Sequence, residues 1–272
     1  MTTPDEPSVP TSAGLPPELV AAVGDLCARR PLLVALDFDG VLAPIVERRE
    51  DARLLTGVRR LVEELAAVDD VTVALVSGRA RDDLAALSGL GDTPGVLLVG
   101  SHGAEMDGAT PPGLDAEALD RLERVVEALR GVADRYEGAL VETKPSAGVL
   151  HTRQVARERA TAATDEALQA VGGIDGVYVT QGKEVVEVAV TEATKGASVQ
   201  ALREALGAAG VLYVGDDVTD ETVLASLGPN DVGVKVGEGA TAARYRVASP
   251  AAVRELLRAL NDLLHGEASG PA

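Results

Sequence analysis

The chain has 272 residues, 46% apolar and 25% charged, a globular balance that fills one large domain or two modest ones. Its formal net charge of −18 disfavours nucleic acid and anionic membranes as partners, and it obliges any phosphate site to gather local cations. No apolar run approaches the roughly 20 residues of a membrane helix, and the single cysteine, Cys27, excludes an internal disulfide and fits a reducing cytoplasm.

Residues 1–17 are rich in Pro, Ser and Thr and lack a basic region followed by an apolar stretch, so they read as a disordered tail and not a secretory signal. Four short Val/Leu-rich runs follow, each ending abruptly in polar residues. Run 32–36 meets Asp37, 71–76 meets Ser77-Gly78-Arg79, 96–99 meets Gly100-Ser101-His102, and 211–214 meets Gly215-Asp216-Asp217. Runs this apolar suit strands buried on both faces of a parallel sheet. Helical patterns at 54–67, 82–87, 198–206 and 222–227 separate them, which predicts a doubly wound α/β core. Ligands of such sheets bind beyond the strands' carboxyl ends, where all four polar clusters fall.

The middle of the chain differs. An amphipathic helix over 114–132, a hairpin of 139–144 and 148–152, a helix over 154–171, and a second hairpin of 177–180 and 184–190 give an α-β-β-α-β-β order. That order predicts two helices on an antiparallel sheet, a smaller α/β domain inserted into the core. The expected division is a tail at 1–17, core at 18–106, insert at 107–191, core again at 192–265, and a flexible tail at 266–272.

The strand-end clusters carry the chemistry. In Asp37-Phe38-Asp39-Gly40, two carboxylates two residues apart at a turning strand end can lean over one site. They can attract a hard cation such as Mg²⁺, or one can attack phosphorus while the other moves the proton. A solvated turn would explain the same motif. Asp216, Asp217, Asp220 and Glu221 lie within six residues and repel one another unless a cation intervenes. The helix that follows accounts for Asp220 and Glu221 through its dipole, whereas Asp216 and Asp217, directly after an apolar strand, are better explained by a metal. Ser77-Gly78-Arg79 is either a helix cap or a hydroxyl with free N–H groups for a phosphate oxygen.

Lysine is used only four times, at Lys144, Lys183, Lys195 and Lys235, against 21 arginines. Lys195 stands at a helix start, where a cation is disfavoured unless an anion shares the site. Taken together, the clusters specify in-line attack by Asp37 and proton handling by Asp39. Ser77 and Lys195 stabilise the phosphoryl oxygens, and Mg²⁺ is held by Asp37, Asp39, Asp216, Asp217 and Asp220.

Asp37-Phe38-Asp39-Gly40-Val41-Leu42-Ala43-Pro44-Ile45, Val76-Ser77-Gly78-Arg79, Gly100-Ser101-His102-Gly103-Ala104-Glu105, Val141-Glu142-Thr143-Lys144-Pro145, His151-Thr152-Arg153, Thr194-Lys195-Gly196 and Gly215-Asp216-Asp217-Val218-Thr219-Asp220-Glu221 occur in that order. Over about 32–260 the chain thereby resembles the trehalose-6-phosphate phosphatase family of the haloacid dehalogenase superfamily. The resemblance implies a Rossmann-like core and an α/β cap that closes over a disaccharide phosphate. Glu142, Lys144 and Glu187 would grip sugar hydroxyls, with His102 and Glu105 at the core–cap junction. It also implies substrate contacts from Gly78, Arg79, His151 and Arg153. Val41, Thr152 and Leu224 depart from residues frequent in the family (Thr, Tyr and an aromatic), and none of these removes a reacting group.

The expected protein is therefore a cytoplasmic, monomeric, Mg²⁺-dependent phosphatase of a small sugar phosphate. Another capped sugar phosphatase, acting on sucrose phosphate or mannosyl-phosphoglycerate, would keep the chemistry and change the cap. A receiver domain phosphorylated on aspartate would not need Asp39. A non-catalytic regulator would have lost a reacting group, and none is lost.

Overall fold

The five residues of Leu32–Leu36 are all buried, and their alternation decides the architecture. Leu32, Val34 and Leu36 enter one apolar cluster with Val23, Leu65 and Leu257, while Leu33 and Ala35 enter another with Val199 and Leu202. A strand apolar on both faces must lie between two layers.

The structure is a computed structural model and describes residues 14–182 and 184–267. In chain order these form α1 (Pro17–Cys27), β1 (Leu32–Leu36), α2 (Val58–Ala66), β2 (Val71–Val76), α3 (Arg81–Ser88), β3 (Val96–Gly100), β4 (Glu105–Met106), α4 (Ala116–Ala133), β5 (Leu140–Lys144) and β6 (Ala147–His151). They continue with α5 (Arg157–Val171), β7 (Tyr178–Gly182), β8 (Val185–Ala189), α6 (Lys195–Leu206), β9 (Gly210–Gly215), α7 (Glu221–Leu224), β10 (Val232–Val236), β11 (Tyr245–Val247) and α8 (Pro250–Glu267).

The larger sheet has seven strands in the order β11-β10-β9-β1-β2-β3-β4, parallel except for β4. Residues of α1, α2, α3 and α8 cover one face, and residues of α6 and α7 the other. Because β1 is central, its carboxyl end opens at the middle of the sheet, flanked by the ends of β2 and β9.

Between β4 and α6 lies a four-stranded antiparallel sheet, ordered β5-β6-β8-β7. Helices α4 and α5 pack on one face of it, with a separate core that includes Val125, Leu129, Leu150, Ala163, Val186 and Val188. The alternate residues Glu142, Lys144, His151 and Glu187 therefore share the face away from the helices.

Several expectations shift. The tail expected at 1–17 lies mostly outside the described residues, but Pro17 already opens α1, where its fixed φ suits the first helical turn. Residues 266–267, expected in a flexible tail, continue α8, while 268–272 lie outside the described residues. Helix α6 starts at Lys195 and not at 198, because the Thr194 side chain caps it by accepting from Ala197 N–H. Helix α1, the parallel strands β10 and β11, and α8 lie outside the predicted elements. Among the described residues no helix is long and apolar enough to cross a membrane.

Candidate active site

After β1 the chain turns at once. Gly40 N–H donates to Ala43 O at 2.8 Å and Ala43 N–H to Phe38 O at 2.9 Å, with the Phe38 ring fully buried beneath. This turn sets Asp37 and Asp39 over one opening. Asp37 is buried, and its Oδ1 accepts from Phe38 N–H at 2.7 Å. Asp39 is held by Arg79, whose Nε and Nη2 each donate to one carboxylate oxygen at 2.7 Å. The guanidinium carbon lies 5.6 Å from the Phe38 ring centroid, which fixes the arginine from below. Arg79 takes one lone pair on each Asp39 oxygen and leaves the others free, in a side chain that is 31% exposed.

Lys195 is the hub. Its buried Nζ lies 3.0 Å from Asp37 Oδ1 and donates to Asp220 Oδ1 at 2.7 Å. Asp220 Oδ1 also accepts from the Tyr213 hydroxyl at 2.6 Å, and Oδ2 from Asp216 N–H at 2.8 Å and Asp217 N–H at 2.9 Å. These bonds saturate the carboxylate. Asp220 thus ties the β9–α7 loop to Lys195, and these bonds compete for the oxygens of a residue that also belongs to the group of acids able to hold a metal. Asp217 is less engaged: among the described residues its Oδ1 accepts only from its neighbour's N–H, that of Val218.

At the end of β2, Ser77 is buried and its Oγ accepts from Arg79 N–H at 3.2 Å, which leaves the hydroxyl proton free to donate. The His102 ring packs on Gly78 so closely that a Cβ there would meet its Cε1 at 2.4 Å. Burial first, and then the Lys195 charge, holds His102 below its ordinary pKa. Glu105 Oε1 accepts from the Ser101 hydroxyl at 2.5 Å, one residue before His102.

Asp37, Asp39, Ser77, Gly78, Arg79, His102, Lys195, Asp216 and Asp217 line one cleft of about 440 Å³, together with Ile45, Arg49 and Thr219. Oxygens of Asp37, Asp216 and Asp220 lie within 4.8 Å of one another. Burial drives the Asp37 and Asp216 carboxyls up from the ordinary range, and the Asp220 charge adds to this in both. Clustered carboxylates whose negative charge Lys195 offsets only in part are a fitting donor set for a hard divalent cation.

The remaining predicted residues lie outside this cleft. Lys144 Nζ donates to Glu187 Oε2 at 3.1 Å and approaches Glu105 Oε1 at 4.0 Å. His151 Nε2 pairs with Glu142 Oε2 at 2.8 Å. Arg153 is exposed just past β6. The two sheets meet where Ser146 Oγ donates to Ala104 O at 3.1 Å.

Two site residues escaped the sequence reading. Tyr213 looks like any strand residue until its hydroxyl is seen on Asp220. Lys235 is buried on β10 and donates to Asp216 O at 2.6 Å; its membership of a set of only four lysines was the available signal.

A family model described as trehalose-phosphatase matches residues 35–251. The chain is 34% identical over 259 residues to a trehalose-phosphate phosphatase of Mycobacterium marinum, covering 88% of this chain and 64% of that one. It is 32% identical over 259 residues to a trehalose-phosphate phosphatase of Mycobacterium tuberculosis with the same coverage, so it spans 64% of the length of these curated relatives. Among solved structures it is similar to the trehalose-6-phosphate phosphatase of Aspergillus fumigatus, with TM-score 0.59 and 25% identity over 92% of this chain and 99% of that one. The C-terminal domain of the Candida albicans trehalose-6-phosphate phosphatase shares the fold, with TM-score 0.57 and 21% identity over 92% of this chain and 99% of that one.

Proposed function

The chain belongs to the trehalose-phosphatase family, and on that footing we propose that it hydrolyses trehalose 6-phosphate to trehalose and inorganic phosphate through an aspartyl-phosphate at Asp37. The observation that carries the reading is the meeting of Asp37, Asp39, Ser77, Lys195 and Asp216, drawn from three strand ends and a helix start, around one cleft.

In the first step an Asp37 oxygen attacks phosphorus in line, the bond from phosphorus to the sugar oxygen breaks, and Asp39 gives that oxygen its proton. In the second step Asp39 takes a proton from water, the water oxygen bonds to phosphorus, and the bond to Asp37 breaks to release phosphate. Lys195, Ser77 and the Gly78 and Arg79 end of β2 receive the phosphoryl oxygens. Asp37, Asp216 and Asp217 would hold Mg²⁺, which when bound offsets the negative charge of the carboxylates and of the phosphoryl group. Asp220, Tyr213 and Lys235 hold the loop that presents Asp216.

Residues 107–191 act as the cap, and 18–106 with 192–265 as the core. The open face of the cap sheet, with Glu142, Lys144, His151 and Glu187, binds the disaccharide, and Arg153 lies at its rim. Lys144 links that face to Glu105, and through Ser101 to His102 in the cleft. Asp107 is pinned to the core by Arg81 at 2.8 Å, so closure pivots at Gly108, which has φ +75°, and near Thr191. The enzyme works as a monomer in the cytoplasm; its single, buried cysteine supports the reducing compartment.

The test is phosphate release from trehalose 6-phosphate, sucrose 6-phosphate and mannosyl-3-phosphoglycerate, with Mg²⁺ and with EDTA. Preference for trehalose 6-phosphate that disappears in EDTA is expected. Equal rates on all three would remove the trehalose assignment, and activity surviving in EDTA would remove the metal.

A further inference from the structure

A molecule of net charge −18 that takes a phosphate monoester must offset repulsion where the substrate enters. Four carboxylates line the cleft, those of Asp37, Asp39, Asp216 and Asp217, against three cations, Arg49, Arg79 and Lys195. Two of the cations are committed. Lys195 is bound to Asp37 and Asp220, and Arg79 to both oxygens of Asp39.

Arg49 is not committed. Among the described residues its guanidinium has no ion pair or side-chain hydrogen bond. Its neighbours differ: Arg48 pairs with Glu50 and Asp51, and Arg53 donates to the carbonyls of Glu50 and Ala52. Arg49 is exposed on a single turn, Arg49–Asp51, and lines the cleft together with Ser77 and Lys195. Its charge is felt inside, since it adds to the burial and the Lys195 charge that hold His102 low. It also borders a second recess, of about 400 Å³, with Gly78, Arg79 and Asp83. An unpartnered guanidinium beside a phosphoryl site offers two parallel N–H donors that match phosphate oxygens.

We propose that Arg49 is a substrate-binding residue that captures the phosphoryl group of the incoming monoester at the cleft mouth and holds departing phosphate, so that it governs KM and product inhibition and leaves the chemical step unchanged. The proposal rests on reading the cleft as a phosphoryl-transfer centre, and it adds a contact from the loop after β1, outside the strand-end clusters.

The experiment uses the full chain with Mg²⁺ and two esters, trehalose 6-phosphate and p-nitrophenyl phosphate, the second lacking a sugar for the cap. R49Q is compared with R48Q, which makes the same charge change one residue away, and with R49K. R49Q is expected to raise KM for both esters about tenfold with kcat within about twofold, and to weaken inhibition by inorganic phosphate in parallel. R49K recovers part of the loss, and R48Q stays within about twofold of wild type on every reading. Equal effects of R48Q and R49Q, or a fall in kcat at constant KM, overturn the proposal. If wild type hydrolyses neither ester, the reading of the cleft fails, and calorimetric titration with inorganic phosphate judges Arg49 alone. Equal affinity of wild type and R49Q would then overturn it.

Discussion

Gly40 faces Asp216 so closely that a Cβ on the glycine would lie 1.9 Å from Asp216 Oδ2. Gly40 also has φ +76°, a conformation unfavourable for any L side chain. The turn after β1 and the loop after β9 are thus fitted to each other at the point where the metal is proposed to bind. Gly40→Ala is expected to push Asp216 aside, lowering kcat/KM by about 100-fold or more while the fold is kept. Circular dichroism checks the fold, and Mn²⁺ binding by electron paramagnetic resonance checks the site. Unchanged Mn²⁺ affinity would refute the assigned role of Asp216.

Tyr213 and Asp220 make a buried, charge-assisted hydrogen bond at 2.6 Å. Tyr213→Phe leaves the packing and removes the donor, so unfolding should become easier by about 1.5–3 kcal/mol. Chemical denaturation with and without Mg²⁺ measures this. A loss below about 0.5 kcal/mol would mean that the hydroxyl does not brace Asp220.

Burial raises Asp37 and Asp216, so the folded, metal-free protein holds protons on them above the pH where the unfolded chain has released them. A carboxyl raised in this way stabilises the folded state below the unfolded value, and that contribution is lost as pH rises through the folded value. Mg²⁺ binding should therefore release protons, and the gain in Tm on adding Mg²⁺ should grow as pH rises above the ordinary carboxylate range. Calorimetry in buffers of different ionisation enthalpy counts the protons. No release at mildly acidic pH would contradict the assignment of these residues to the metal.

Lys144 bridges Glu187 and Glu105 and lies outside the reacting cleft. Lys144→Ala should lower kcat/KM for trehalose 6-phosphate by about 100-fold and for p-nitrophenyl phosphate by no more than about threefold. Equal losses on both would move Lys144 out of the sugar site.

The strand-end acids were legible because apolar runs such as Leu32–Leu36 stop abruptly at charged residues, and a parallel sheet gathers those ends at one edge. Strand β10, next to the edge strand β11, was not. Gly233 and Lys235 interrupt its apolar run, each for a long-range reason. A Cβ at Gly233 would press on Leu227 at 2.9 Å, and Lys235 serves Asp216 O across the sheet. The basic partners of Asp39 and Asp220 were not legible, because a carboxylate in a one-dimensional motif does not reveal its partner. Arg79 lies 40 residues from Asp39, and Lys195 lies 25 from Asp220. Arg49 lies in a run of charges with no period, and only the fold turns it toward the cleft.

A covalent aspartyl-phosphate can be trapped, because borohydride reduces an acyl phosphate to an alcohol and would convert Asp37 into homoserine. Rapid mixing of the enzyme with trehalose 6-phosphate and Mg²⁺, a borohydride quench within one turnover, and peptide mass spectrometry make the measurement. Homoserine at position 37 that vanishes without substrate or in the presence of EDTA is the expected result. Full phosphate release with an unmodified Asp37, or reduction at another carboxylate, would contradict it.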